Sequence, residues 1–440
     1  MADKHGIGTF VNEAHELATN GLDVFSMPAI EAGLIHGRQL TLYPTTVLTS
    51  DGPVEFVIPG DNSDMTILPL TRLEGEIEVT KPDGTAFADT DKISIVNLFP
   101  QSIWKQIECS VKDVQINDLS TPTYHYKSFI ETHLTYGDDM KNSTLQDCEY
   151  YLKDSCGKEN VMLVGDAEAK NEGFMKRKKY FQGQKIYFSM ILHIDFFNSQ
   201  KFLIPGVEVK LKLIRADDNF SIISNVEAKI KINKLQLKIR RVTLDPTVLS
   251  ALESTLNNTP TVYPLCKSVI KTHLINAGIS NTQIGQIVRG KMPRSFILGF
   301  VNAKAYDGNR GKNPFVFENF DINNINILIN GEPLNPSIFQ PDFATGNYVR
   351  EYRWMLDNIG LHQNGTNSIS KEEFKNNSCF IPFDLSPDLC NNYYLHGVEQ
   401  GTIDIQLGFK TALTENIYCL MYASYDEILS IDKNRNVSIS

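Results

Sequence analysis

Residues 401–410 read GTIDIQLGFK, and residues 206–215 read GVEVKLKLIR. In the first, Ile403, Ile405, Leu407 and Phe409 alternate with Asp404, Gln406 and other non-core positions; in the second, Val207, Val209, Leu211 and Leu213 alternate with Glu208, Lys210 and Lys212. Period-two alternation specifies a β-strand with one buried face. A chain that writes such a strand twice, each time after a glycine, is constrained to fold as two similar β units.

The echo extends along the chain. LEGEIEVTKPDG (73–84) is matched by FILGFVNAKAYDG (296–308), both ending in the turn pair Asp-Gly. WKQIECSVKDVQI (104–116) is matched by INNINILINGEPL (322–334), each read as strand, two-residue turn, strand, with Asn330-Gly331 the stronger hairpin signal. Each hairpin precedes what reads as the one good helix of its half. The first is YHYKSFIETHLTYG, where Tyr126, Phe129, Ile130, His133 and Leu134 share a face and Gly137 is placed to cap. The second is NYVREYRWMLDNIG, with Tyr348, Tyr352, Met355, Leu356 and Ile359 on one face and Gly360 at its end. Apolar strands around an Asp follow, MILHIDFF (190–197) and CFIPFDL (379–385). Next come the strands quoted first and then a polar turn, ADDNFSIISN in one half and KTALTEN in the other. A long strand pair, VEAKIKINKLQLKIRRV, ends the first half; a long strand, IYCLMYASYDEILSI, ends the second.

This order predicts an all-β fold of two tandem jelly-roll β-sandwiches, a double jelly roll, with one or two short helices in each and an N-terminal arm. The expected division is an arm at 1–40, a first jelly roll at 41–243, a linker at 244–265 and a second jelly roll at 266–440. Asp245-Pro246 ends the last strand of the first half, VLSALESTL reads as a short helix, and Asn257 to Pro260 as a turn.

The quoted segments also resemble a known family. VEFVIPGDNSDMTILPLTRLEGEIEVTKPDG, YHYKSFIETHLTYG, VRGKMPRSFILGFVNAKAYDG and VEQGTIDIQLGFKTALTENIYCLMYASYDEILSID are similar, in order and spacing, to the major capsid protein of Polinton (Maverick) elements and adintoviruses. The resemblance implies a double jelly-roll subunit that forms a homotrimer, a pseudo-hexameric capsomer tiling an icosahedral shell in the virion. It further implies capsomer–capsomer contacts, a separate penton or minor capsid protein as partner, and synthesis in the host cell cytoplasm. An internal membrane is possible but not indicated. The alternatives weighed are a tandem β-sandwich carbohydrate-binding or attachment protein, and a β-sandwich glycosidase with two facing carboxylates.

One strand carries an assembly expectation of its own. In IYCLMYASY (417–425), Ile417, Cys419, Met421 and Ala423 alternate with Tyr418, Leu420 and Tyr422, so both faces are apolar. A strand outside an isolated sandwich has one polar face. The second face therefore calls for a cover: the helix, the sister sandwich, a neighbouring subunit or the protein's own loops.

No residue is assigned a catalytic, cofactor-binding or metal-binding role. GQIVRGKM (285–292) has the glycine and lysine spacing of a phosphate loop, but Met292 stands where Ser or Thr is needed, and a strand follows where a helix should. The nine histidines, His125 and His133 included, lack ligand spacing, and no GxSxG occurs. His193 and Asp195, two apart on an expected strand, share a face without an evident nucleophile. Asp217/Asp218 and Glu372/Glu373 read as solvated loop carboxylates. The net charge of −10 disfavours nucleic acid on average, so no specific nucleic-acid site is assigned. The compact basic run MKRKKY (175–180) is read as a solvated loop or as a contact for DNA, an anionic membrane or an import receptor. Seven cysteines without a CxxC pair, no apolar leader and no membrane-length apolar stretch predict a soluble protein of a reducing compartment. Cys148 and Cys156 are then two free thiols, and the sequons at Asn142, Asn219, Asn257, Asn364, Asn376 and Asn436 stay unmodified.

Overall fold

The two echoing strands occupy the same place in two different sheets. The computed structural model describes residues 31–49, 52–148, 151–163, 170–181, 185–334, 339–359, 369–386, 397 and 399–440. In the first half one sheet has the order β1 (Leu34–Leu42), β10 (Lys229–Leu244), β3 (Asp64–Thr80), β7 (Ile186–Ile191). The other has the order β2 (Val54–Ile58), β8 (Val209–Arg215), β5 (Trp104–Val111), β6 (Val114–Gln115). In the second half the orders are β11 (Thr261–Ile275), β18 (Ile417–Ile431), β13 (Ser295–Asn302), β16 (Ile381–Asp384), and β12 (Asn281–Lys291), β17 (Gln400–Phe409), β14 (Ile322–Ile329), β15 (Glu332–Pro333). Taken in chain order, each strand of the first set has its counterpart in the second. All the pairings are antiparallel, and β8 and β17 hold the same second place in their sheets. Outside this frame β4 (Ile93–Ile95) pairs with β9 (Ile222–Ser224), and β19 (Val437–Ile439) adds to β18.

Alternation places one set of side chains from each sheet inside. Val209, Leu211 and Leu213 of β8 enter a core with Phe56, Ile77, Trp104 and Leu237; Ile403, Ile405 and Leu407 of β17 enter a second core with Phe296, Ile325 and Met421. The turns repeat as well. Lys112 (φ 56°) and Asn330 (φ 52°) take left-handed backbone in the two matched hairpins, and Gly84 (φ 83°) and Gly308 (φ 85°) do so after the matched aspartates. Glycine takes that conformation without steric cost, which is why Asp-Gly recurs there.

Five helices are long enough to matter: α1 (Tyr124–Thr135), α2 (Glu172–Phe181), α3 (Pro246–Leu256), α4 (Val349–Asn358) and α5 (Lys371–Asn376). α1 and α4 lie between the hairpin and the following strand of their halves, as expected, but α2 is a second substantial helix in the first half. Gly137 does not cap α1: Tyr136 ends it in extended backbone, and Gly137 instead precedes a short helical turn with φ −76°. Gly360 lies outside the described residues. In the linker α3 is capped by Asp245, whose carboxylate accepts from Thr247 N at 2.9 Å, with Pro246 in the first turn.

Four strand expectations shift. VEAKIKINKLQLKIRRV is not a strand pair: β10 is one strand, which absorbs its change of pattern as a bulge between Ile232 and Lys234. The polar turn ADDNFSIISN contains a helical turn, Asp218–Ser221, and strand β9, with Phe220, Ile222 and Ile223 buried. MILHIDFF leaves its sheet at Ile191, and Asp195 opens a 3-10 turn, Asp195–Asn198. In FILGFVNAKAYDG the strand ends at Asn302, whose side chain accepts from Lys304 N and caps a helical turn over Ala303–Tyr306. Boundaries shift too: β1 takes residues from the expected arm, and β11 begins inside the expected linker.

The common frame makes a quantitative expectation. Leu211→Ala and Ile405→Ala empty matching positions of two cores, so each should cost about 2–5 kcal/mol. Urea titration checks this; a cost at one position and none at the other would contradict two separately packed cores.

Candidate functional site: the seam between the halves

A third buried cluster lies between the two cores, built from both halves. α1 contributes Tyr126, Phe129, Ile130 and Leu134; the second half contributes Ile270 of β11, Val301 of β13 and Leu420 of β18, with Tyr418 and Tyr422 packed against it. The amphipathic face predicted for the helix thus meets the second apolar face of β18. Both covers named for that face, the helix and the sister sandwich, are the same object, because α1 belongs to the other half. On β18 the opposite set, Ile417, Cys419, Met421 and Ala423, fills the second core.

Aromatic rings make the contact. Phe129 stacks on Phe315 at 4.5 Å between ring centroids, Tyr306 lies 4.2 Å from Tyr418 and 5.5 Å from Tyr126, and His125 stacks on Phe220 at 4.0 Å. Within the second half, Gly299 lets the Phe317 ring lie against β13, since a Cβ there would come within 2.6 Å of that ring.

Polar groups then fix the alignment. His193 and Asp195, singled out from sequence, join one buried network, although neither lies on a strand. Glu131 Oε2 lies 2.6 Å from His193 Nδ1, and the other oxygen, Oε1, accepts from the Tyr422 hydroxyl at 2.9 Å. Lys127 Nζ donates to Asp195 Oδ1 at 2.7 Å, while Asp195 Oδ2 accepts from the backbone N of Ser268 at 3.0 Å. Ser268 Oγ and Tyr422 Oη are 2.7 Å apart. Glu131 and Asp195 therefore each tie the first half to the second. Burial works against the Glu131 charge, but Lys127 and the bonds from His193 and Tyr422 hold its carboxyl below the usual range. Burial would also neutralise Lys127; Asp195 and Glu131 outweigh it and raise the ammonium instead. Asp195 is pushed up by burial, with Lys127 opposing. The second ring nitrogen of His193, Nε2, lies 3.3 Å from the hydroxyl of Thr132, which is itself buried, so the cluster is closed to solvent and acts as a latch.

His125 and His133 both point into the seam. His133 bridges it, with Nδ1 at 2.8 Å from Tyr151 Oη and Nε2 at 3.0 Å from Ser378 Oγ of the second half. Burial, with Lys141 and Lys153 close by, keeps His133 neutral well below the usual range, and burial with Lys105 lowers His125 to about 3. Buried Lys141 donates to His133 O at 2.7 Å and is lowered to about 7 by burial and by Lys153.

The basic run is neither a loop nor one patch. It lies in α2, and its members part. Arg177 is fully buried, donating to Ile95 O and Leu152 O and pairing with Asp154 at 2.5 Å; Asp154 also accepts from Asn313 Nδ2 of the second half at 3.1 Å. Lys178 is buried and donates to the carbonyls of Asp89 and Asp91. Lys176 and Lys179 remain exposed. The paired carboxylates are structural as well. Asp217 accepts from Asn219 N and Asp218 pairs with Arg215. Glu373 completes a capping box with Ser370 at the start of α5 and pairs with Lys153 across the seam at 2.6 Å, while Glu372 is exposed. Residues 285–291 are strand β12, so the phosphate-loop spacing is an accident of a β-strand. Cys109, Cys156, Cys266, Cys379 and Cys419 are free thiols; Cys390 and the Cys148 side chain lie outside the described residues. Among the described residues, no cluster of His, Cys, Asp and Glu could hold a metal ion, and no helix is long and apolar enough to cross a membrane.

Sequence reasoning missed Lys127, Glu131, Lys153 and Arg177 as seam residues. The i, i+4 spacing of Lys127 and Glu131 was the available signal, but it marks exposed helix pairs equally well.

Two sandwiches of one strand order, joined through such a seam, define a double jelly-roll protein. The comparisons agree. The chain matches a protein of the Sputnik virophage in its cryo-EM structure with a TM-score of 0.62 and 12% identity, covering 97% of this chain and 93% of that one. It matches the faustovirus major capsid protein with a TM-score of 0.59 and 9% identity, over 96% and 94%. At these identities the likeness is one of fold. In sequence it is 25% identical over 425 residues to "Uncharacterized protein F54H12.2" of Caenorhabditis elegans, covering 93% of this chain and 98% of that one. No family model matches.

Two outcomes test the seam. Tyr422→Phe strips one bond from Glu131 and one from Ser268 and should cost about 1–3 kcal/mol, whereas Arg177→Ala leaves Asp154 without its cation and should cost about 3–5 kcal/mol. Denaturant melts rank them, and equal effects near zero would show that the network does not hold the halves. The histidines set an acid limit. Below their unfolded pKa of about 6.5 the unfolded chain binds protons that His125 and His133 refuse in the fold, so stability falls as pH drops. The melting temperature should decline from pH 7.5 to 5.5, and His125→Phe should flatten the decline; a level profile in the unaltered protein would contradict the burial of both rings.

Proposed function

We propose that the protein is a viral major capsid protein of the Polinton (Maverick) and adintovirus kind, a structural subunit of the virion rather than an enzyme. The observation that carries this reading is the repetition of one strand order in two sandwiches locked side by side. A chain of two similar blocks, brought together three times about an axis, presents six similar blocks; such a trimer closes on itself and has a nearly hexagonal outline that tiles a shell. Support comes from two sides: the sequence resemblance and the fold shared with a faustovirus major capsid protein. In this reading strands β1 to β10 form the first block, α3 the connection and β11 to β19 the second. Its partners are other copies of itself and a different subunit at the fivefold vertices. The acidic balance leaves neutralisation of the genome to another component.

Sedimentation of the purified chain should give three times the monomer mass, and negative-stain images should show six-sided particles. A monomer persisting at high concentration, or a closed dimer, would remove the capsomer reading.

A further inference from the structure

A cleft of about 370 Å³ opens at the edge of the seam, walled by both halves. We infer that it binds the carboxylate end of another polypeptide, a chain terminus whose last residue is apolar. The cleft is complete within one chain, so this assignment stands apart from the capsomer reading.

Four segments meet there. Lys105 stands at the start of β5 and His125 in the first turn of α1; Asp217 and Phe220 follow β8; Tyr306 and Asp307 follow β13 in the second half. Phe220 stacks on His125 at 4.0 Å and Tyr306 packs at 4.2 Å from Tyr418. The rings are thus fixed by the seam behind them and form a rigid apolar wall.

The buried donor is His125. Its Nδ1 accepts from the backbone N of Tyr126 at 2.9 Å, which places the ring hydrogen on Nε2. The residue is only 6% exposed, and the described residues offer Nε2 no acceptor. Its imidazole lines the cleft, so that N–H is aimed into it. A buried donor without an acceptor is costly, and a ligand carboxylate removes that cost. Burial, with Lys105 close by, lowers the ring to about 3, so the donor stays neutral near pH 7.

The charges around it select the ligand. Lys105, Asp217 and Asp307 are exposed and line one cleft, yet among the described residues Lys105 pairs with neither carboxylate. Lys105 acts on the His125 ring and Asp307 on the Tyr306 hydroxyl, so the cation stands at one end and a carboxylate at the other. Asp217 is partly engaged, accepting from Asn219 N at 2.8 Å. A simple anion attracted by Lys105 is also repelled by two carboxylates. A chain terminus satisfies all three features on one residue: a carboxylate for Lys105 and the Nε2 hydrogen, a peptide N–H for Asp307, and an apolar side chain for the rings. An acidic side chain holds its carboxylate away from the peptide N–H and brings no apolar group.

The test is ligand-observed NMR on the full chain with N-acetyl-L-leucine, which carries all three features. N-acetyl-L-leucinamide lacks the carboxylate, N-acetyl-L-glutamyl amide carries it on the side chain, and inorganic phosphate is a simple anion. N-acetyl-L-leucine should bind and the other three should not. Lys105→Met, and His125→Phe, which keeps a stacked ring and removes the donor, should each weaken binding at least about tenfold. Lys231→Met, on the other sheet of the first half, should leave it unchanged. Melting temperature establishes that each variant is folded, and Lys105→Met, at an exposed position, decides the matter if His125→Phe does not fold. Absence of binding by N-acetyl-L-leucine, equal binding of any of the other three probes, or unaltered binding to Lys105→Met would overturn the assignment.

Discussion

Over Ile417–Ala423, strand β18 has no wet side. One set of these side chains fills the second core and the other set meets α1 of the first half, while Leu429 and Ile431 further along enter the first core, so neither half is complete without the other. Burial of apolar area is the dominant favourable term in folding, and here it is shared between units that would otherwise be independent sandwiches. The consequence is a single rigid block with two similar ends rather than two beads on a linker. A linker of one short helix suffices because the seam, and not the connection, sets the geometry.

The charges in the seam do a different task from the rings around them. Aromatic packing tolerates sliding; a carboxylate with two partners from different strands does not. Glu131 and Asp195 each reach both halves, as do His133 and Asp154, and a small shift of one sandwich against the other would strip each of its hydrogen bond from the second half while leaving it buried. Such groups add little net stability, because desolvation offsets their attraction, but they penalise every alignment except one.

Much of this was legible in the residues. Alternation in GVEVKLKLIR and GTIDIQLGFK, the Asp-Gly and Asn330-Gly331 turns and the single-faced helices all report local periodicity, which needs nothing beyond a short window of chain. The doubled apolar pattern of IYCLMYASY even announced that something must cover the strand. Misreadings arose where local pattern met a distant partner. MKRKKY looked like surface because four basic residues together normally are; Arg177 is buried because Asp154 and two carbonyls from remote segments satisfy it. Gly137 looked like a helix cap, yet the chain leaves α1 in extended form. The doubled strand expected in VEAKIKINKLQLKIRRV became one, since a bulge restores the inward face after a break in the alternation.

The sequence by itself determined that two jelly rolls would form and which face of the strands at 207–213 and 403–409 would be inward, because those properties follow from side-chain period and turn chemistry. Only the tertiary structure decided how the two rolls meet: which helix covers β18, that Glu131 pairs with His193 and Tyr422, and that Lys127 faces Asp195. Those contacts join residues far apart in the chain, and their selection depends on desolvation and fit at a surface that exists only once both halves have folded.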